Sequence, residues 1–82
     1  MPLIHYPYYT RGKSMIRLRV KEVAQAQGIG MLKLSRLADV SYRTVQGVWR
    51  DPYREISIRT LEKFARALSV PSHELIEDEP DV

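Results

Sequence analysis

Hydrophobic residues recur at intervals of three and four along most of the chain, which is the spacing of one face of an α-helix. The pattern predicts five helices, over about residues 18–27, 31–38, 42–50, 58–68 and 71–76. Before the first helix, residues 15–20 alternate between apolar and basic, which is a strand pattern. We therefore expect an all-α domain that is entered by an extended segment.

Two of these helices form a pair joined by a tight turn, between residues 34 and 51. Each carries an apolar stripe, made of Leu34, Leu37 and Ala38 in the first helix and of Val45, Val48 and Trp49 in the second. Asp39 lies in the connection, where its short carboxylate can bond nearby backbone N–H groups. Ser41 is placed to cap the second helix by accepting a hydrogen bond from the N–H of Thr44. The stretch predicts a helix-turn-helix at about residues 31–50.

The outward face of the second helix of this pair is polar. It carries Tyr42, Arg43, Gln46, Gly47 and Arg50. Arg and Gln have paired hydrogen-bonding groups that match the edges of guanine and adenine in the major groove of DNA. A helix with one apolar face and an opposite face that carries Arg and Gln is typical of a recognition helix. We predict that Tyr42, Arg43, Gln46 and Gly47 face base edges, with Gly47 allowing the helix to approach the groove closely.

Start and stop signals support the other helix boundaries. Gly28 follows the first helix, as glycine commonly does at a helix C-terminus, and Gly30 occupies the N-cap position of the second. Pro52 ends the third helix, because the residue before a proline avoids helical dihedrals. Ser57 caps the fourth helix, and Pro71 lies in the first turn of a short fifth helix.

Length and composition limit the classes of protein to which the chain can belong. Its 82 residues allow one domain, and it has no cysteine for a disulfide or a thiolate metal site. No apolar run approaches the ~20 residues of a membrane span, and no signal peptide is evident. His5 and His73 lie far apart in the sequence, so we expect no metal or other cofactor. We expect a cytoplasmic protein without a catalytic site or a small-molecule substrate.

The net charge of +3 conceals an uneven distribution. Residues 1–50 contain nine Lys and Arg against two acidic residues, a net charge of +7, whereas residues 51–82 have a net charge of −4. The basic half contains the predicted helix-turn-helix and suits a polyanion, because phosphate contacts supply most of the non-specific affinity for DNA. Charge alone is equally consistent with a solvated surface.

The two ends of the chain differ from the rest. Residues 1–17 are predicted to form a flexible or extended arm, because two prolines and a tyrosine cluster preclude a regular helix there. Arg11 and Lys13 could contact phosphate or a minor groove, and the tyrosines could pack on a partner subunit. Alternatively, Met15 is the natural start of the protein. Residues 77–82 are predicted to form an acidic, solvated tail.

Several short motifs occur in a fixed order along the chain. They are Gly28, Leu34-Ser35, Val40-Ser41, Thr44-Val45, the fourth-helix set Ile58, Leu61, Phe64, Ala65, Ala67 and Leu68, and the closing Val70-Pro71-Ser72 and Glu74-Leu75-Ile76. This ordered set resembles the Cro/C1-type (XRE-family) helix-turn-helix domain over residues 18–76, roughly seven-tenths of the chain. Asp39 stands where the family usually has a turn glycine, and Asp adopts a left-handed conformation at low cost.

The resemblance implies a compact five-helix, lambda-repressor-like domain that binds double-stranded DNA and regulates transcription, in the manner of a repressor. Such domains usually act as symmetric pairs on two half-sites, so a homodimer is expected. The residues expected to contact the DNA backbone are Lys33, Arg36, Ser41, Thr44, Arg50 and Arg54.

Other classes of function are open or disfavoured. An antitoxin-type or adaptor module would use the same fold to bind a protein partner, and the acidic tail and tyrosine-rich arm would serve it. An enzyme is disfavoured, because the sequence shows no nucleophile–base pair, no suitably placed pair of carboxylates and no glycine-rich phosphate loop. RNA binding is disfavoured because the stacking aromatic residues of RNA-binding modules are missing from the helical region.

Overall fold

Four α-helices and two short strands follow one another in the computed structural model, which describes residues 16–78. In chain order the elements are β1 (Ile16–Leu18), α1 (Val20–Ala26), α2 (Met31–Ala38), α3 (Tyr42–Arg50), α4 (Ile58–Leu68), a 3-10 helix (Ser72–Leu75) and β2 (Ile76–Asp78). The predictions for Arg11, Lys13, the tyrosine cluster, a start at Met15 and the last four residues of the acidic tail lie outside the described residues.

The first turns of α3 and α4 are built alike. Ser41 accepts a hydrogen bond from the backbone N–H of Thr44 at 3.1 Å, and Ser57 accepts one from that of Thr60 at 3.0 Å. These bonds satisfy N–H groups that have no partner within the helix, which is why Ser at this position favours a helix start. Both predicted N-caps are thereby confirmed.

The end of α1 is fixed to α4. Gly28 follows the helix with a φ of +71°, in the left-handed region that glycine adopts at little cost. The side-chain amide of Gln27 donates to the carbonyl of Leu68 at 2.8 Å. The stop at Gly28 is therefore confirmed, and the turn that it allows is fastened to the C-terminus of α4.

The core lies between the four helices, with α2 and α1 each packed against both α3 and α4. The largest fully buried side chains are Val20, Leu34, Val45, Val48, Phe64, Leu68 and Leu75. Among residues 16–78, no polar or charged residue is buried with them, so the core is held by apolar contact alone. Packing in this direction leaves the outer faces of α2 and α3 exposed.

Two apolar residues, one from the predicted stripe of α2 and one from the fourth-helix set, are exposed. Leu37 is 52% exposed and Ile58 is 83% exposed, so the prediction is wrong for both. α2 directs Leu34 and Ala38 into the core, and Leu37 lies to one side of that buried face. Ile58 is the first residue of α4, ahead of the turns that bury their side chains.

The predicted fifth helix is also corrected. Residues 72–75 form a single 3-10 turn, and Ile76 already belongs to β2. β2 pairs with β1 in antiparallel fashion, with Ile16 opposite Asp78 and Leu18 opposite Ile76. The backbone groups of residues 76–78 therefore pair with β1 instead of extending a helix. The fold is mostly helical, with a small sheet that the sequence did not predict beyond its first, extended segment.

Arg17 connects this sheet to α1. Its guanidinium lies 2.5 Å from the carboxylate of Glu22 and 3.6 Å from that of Glu77. Partial burial acts to raise the pKa of Glu22, but hydrogen bonding and attraction to Arg17 outweigh it, and the pKa lies below its ordinary value. The hydrogen bond to Glu22 in turn raises the pKa of Arg17. This cation of the basic half is thus paired within the fold.

Candidate nucleic-acid interface

The turn between α2 and α3 is fixed by hydrogen bonds on both sides. Asp39 has a φ of +56°, the left-handed conformation expected of a residue that replaces a turn glycine. The Ser35 hydroxyl donates to the carbonyl of Val40 at 2.7 Å, and the N–H of Val40 donates to the carbonyl of Ser35 at 3.1 Å. Lys63 on α4 donates to the carbonyl of Asp39 at 3.3 Å. These contacts hold α3 at a defined angle to α2.

α3 presents a polar face on the side away from the core. Arg43 and Arg50 are exposed, and Tyr42 exposes 39% of its surface. Gln46 and Trp49 are half-buried and line the same shallow depression at the edge of this face. Most side chains predicted to read bases are therefore accessible on one helix.

The residues predicted to contact the DNA backbone fall into two kinds. Lys33 and Arg36 are exposed and lie three positions apart on α2, so they are neighbours on one side of that helix. The hydroxyls of Ser41 and Thr44 hydrogen-bond to each other at 2.9 Å. Whichever of the two donates, the hydroxyl hydrogen of the other stays available, and it could donate to a phosphate oxygen.

Arg54, in the loop after α3, folds back over Gly47. A Cβ atom placed on Gly47 would lie 2.9 Å from Arg54 Cζ and 3.3 Å from Nε, with Nη1 closer still. The guanidinium therefore occupies the space that any other side chain at position 47 would need. Sequence reasoning gave the two residues separate roles and missed this contact. The available signal was the glycine itself, because glycine inside a helix costs stability relative to alanine.

The cations of this surface have no acidic partners within the described chain. Both ion pairs found among residues 16–78 involve Arg17. The cations without an ion pair to residues 16–78 include Lys33, Arg36, Arg43, Arg50 and Arg54. A surface of uncompensated like charges attracts a polyanion and raises its rate of association.

Comparison with known families decides the kind of polyanion. Residues 18–81 match the Cro/C1-type HTH DNA-binding domain. The chain belongs to this family. The resemblance found in the sequence is confirmed, and the cationic surface of this Cro/C1-type domain lies on the helix pair that gives the family its name. No curated protein matches the chain.

A solved structure supports the same conclusion. The Cro/C1-type domain is similar to the restriction-modification controller protein C.AhdI from Aeromonas hydrophila, with a TM-score of 0.62 and 28% sequence identity. The alignment covers 68% of this chain and 83% of that chain. The family and this likeness together make the protein a DNA-binding helix-turn-helix regulator of transcription.

The described part of this Cro/C1-type protein has neither a metal-binding cluster nor a membrane-spanning helix. Residues 16–78 contain no cluster of three or more His, Asp or Glu able to hold a metal ion. Within the same range, no helix has the length and apolar character needed to cross a membrane. The surface of α2 and α3, the helix pair of the family, is suited to a nucleic acid.

Proposed function

We propose that the protein is a sequence-specific, repressor-like regulator that inserts α3 into the major groove of double-stranded DNA. One observation carries this proposal: the outer face of α3 presents Arg43, Gln46 and Arg50, while the opposite face is buried. The hydrogen-bonded turn at Asp39 supports it, because a rigid mounting keeps the side chains in register with the base edges.

The proposed base-reading residues lie early on α3. Tyr42, Arg43 and Gln46 belong to its first two turns, the part of a recognition helix that contacts base edges. Arg43 suits the O6 and N7 atoms of guanine, and Gln46 suits N6 and N7 of adenine. The ring of Tyr42 offers apolar contact to a thymine methyl group. Gly47 has no side chain and acts together with Arg54, which covers it.

The proposed backbone contacts flank this helix. Lys33 and Arg36 approach from α2, Arg50 from the end of α3, and Ser41 and Thr44 from its start. Contacts of this kind fix the register of the protein on the duplex without reading its sequence. They would supply most of the salt-dependent affinity.

A pair of these domains would form the working unit. Dimers of helix-turn-helix proteins place two recognition helices about one turn of DNA apart, on half-sites related by two-fold symmetry. We propose a homodimer acting in the cytoplasm. The likeness to a restriction-modification controller supports a role in gene control.

Selection from a random duplex pool tests the proposal. The purified protein is titrated at several salt concentrations, and the bound sequences are read. The expected result is an enriched, two-fold symmetric motif with a steep salt dependence. Salt-dependent binding without enrichment would contradict sequence-specific recognition. No binding at low salt would contradict DNA binding and favour the protein-partner module.

Two matched variants distinguish a proposed base contact from a proposed phosphate contact. Arg43→Ala removes a proposed base contact, so discrimination between the selected and a scrambled duplex should fall by ~1–3 kcal/mol. Lys33→Ala removes the same charge from a proposed phosphate contact. It should weaken both duplexes equally and lower the salt slope by about one. An unchanged discrimination ratio in Arg43→Ala would refute the assignment.

A further inference from the structure

The contact between Arg54 and Gly47 brings a residue from outside α3 onto its exposed face. α3 ends at Arg50, and Arg54 comes four residues later in the chain. Its guanidinium nevertheless lies over Gly47, three residues before the end of the helix. A built Cβ on Gly47 would be 2.9 Å from Arg54 Cζ, a separation that real side-chain carbons do not show. The Arg54 guanidinium can therefore hold this position only while residue 47 is glycine, and it must shift if a Cβ is added.

The loop that carries Arg54 is anchored on three sides. The N–H of Arg54 donates to the carbonyl of Asp51 at 3.1 Å, which closes a tight turn with Pro52 in its second position. The Asp51 carboxylate accepts from the N–H of Tyr53 at 3.1 Å. The Pro52 carbonyl accepts from the N–H of Leu18 at 2.7 Å, which ties the turn to β1. The backbone from which the Arg54 side chain starts is thus fixed relative to α3.

The site that Arg54 occupies is a cationic one. Gly47 lies four residues after Arg43 and three before Arg50, so all three positions share one side of α3. Within residues 16–78, Arg54 forms no ion pair and no side-chain hydrogen bond. A guanidinium held over this side of α3, without an acidic partner in the described chain, is suited to an external acceptor. Its planar fork can bond two acceptors at once.

We propose that Arg54 is a specificity-determining residue that reads a base edge beside the contact of Arg43, and that Gly47 is a positioning residue acting through it. The inference rests on the proposed function and changes the roles expected from the sequence. From the sequence, Arg54 is expected to contact the DNA backbone and Gly47 is expected to face the bases. The position of the Arg54 guanidinium favours contact with a base edge over contact with a phosphate. It lies on the face of α3 that carries Arg43, and not beyond the end of the helix.

A double-mutant cycle tests the proposal on the full chain. Gly47→Ala, Arg54→Ala and the double variant are titrated with the selected duplex and with a scrambled duplex of equal length. Arg54→Ala should lose about tenfold more affinity for the selected duplex than for the scrambled one, the order expected of one bidentate base contact. Gly47→Ala should show a similar loss, and the double variant should be no worse than Arg54→Ala alone.

Two further variants sharpen the cycle. Arg54→Lys keeps the charge but not the fork, so it should retain affinity for the scrambled duplex without restoring discrimination. Arg66→Ala removes one exposed charge from α4, outside the interface, and should leave discrimination unchanged. Repeating the selection with Arg54→Ala should relax the motif at a defined position in each half-site. The melting temperature of each variant shows that it is folded.

The possible failures are distinct. If the unaltered protein enriches no motif, the proposed function fails and this inference falls with it. If a motif is enriched but Arg54→Ala weakens both duplexes equally, Arg54 is a phosphate contact and the proposal is overturned. If Gly47→Ala is as damaging in the absence of Arg54 as in its presence, Gly47 acts by itself and its positioning role is overturned.

Discussion

α3 and α4 start in the same way and are used differently. In both helices a Ser hydroxyl caps the helix and shares a side-chain hydrogen bond of 2.9 Å with the Thr three residues later. α4 then buries Phe64, Ala65 and Leu68. α3 buries Val45 and Val48 and exposes a row of polar side chains on its other side. The shared start determines that each helix forms, and the later residues determine what it contacts.

The difference teaches where stability and recognition reside in so small a domain. α4 contacts α2, α1 and the 3-10 helix, so it lies at the centre of the core. α3 is attached to that core along one side only, and Arg43 and Arg50 lie exposed on its other side. Changes in α4 should therefore affect folding, and changes on the outer face of α3 should affect binding.

Phe64→Ala gives the largest expected effect. Phe64 is 0% exposed, and its truncation removes apolar contact and leaves a cavity, so the free energy of unfolding should fall by about 3–5 kcal/mol. Urea denaturation followed by circular dichroism measures the change. The matched variant on α3 is Arg43→Ala, which should change stability by less than about 0.5 kcal/mol. Equal losses in the two variants would contradict the division between the helices.

Substitution of the two N-cap residues has the next largest expected effect on stability. Ser57→Ala and Ser41→Ala each remove the hydroxyl that accepts from a helical N–H, so each should lower the free energy of unfolding by about 1 kcal/mol. Ser41→Ala should also weaken DNA binding, because Ser41 is a proposed backbone contact. Thermal melts and titrations of the folded variants measure the two effects. Equal loss of DNA affinity in both variants would contradict the proposed contact between Ser41 and the DNA backbone. The controls for folding are Ser57→Asp and Ser41→Asp, because Asp also caps helices.

Gly47→Ala is expected to change stability by less than the two N-cap substitutions, and in the opposite direction. Alanine is favoured over glycine inside a helix by about 0.8–1 kcal/mol. The added Cβ meets the end of the flexible Arg54 side chain, which can move aside. The free energy of unfolding should therefore rise slightly while discrimination between duplexes falls. A thermal melt measures the first change. A marked loss of stability would show that Arg54 is held rigidly on α3.

The features that the sequence predicted correctly depend on near neighbours. Ser41 and Ser57 cap helices through residues three positions away. Gly28 ends α1 for the same local reason. Such contacts follow from residue type and spacing, and the helix-turn-helix pattern consists largely of them. This is why the family could be identified from the residues alone.

The features that were missed depend on residues far apart or on one long side chain. β2 has three residues, too few for a clear strand pattern, and it exists because β1 lies beside it. The exposure of Leu37 depends on how α2 is rotated against α3 and α4. The position of Arg54 over Gly47 depends on the course of a loop, which the periodicity of α3 does not contain.

The pairing of β1 with β2 has a kinetic consequence. It joins residues 16 and 78, so nearly the whole described chain forms the loop that it closes. Closing this loop costs chain entropy before its contacts form, and contacts of large sequence separation slow folding. The helix-turn-helix can assemble from neighbours in the chain before that closure. We therefore expect the small sheet to form late in folding, after the contacts between neighbouring helices.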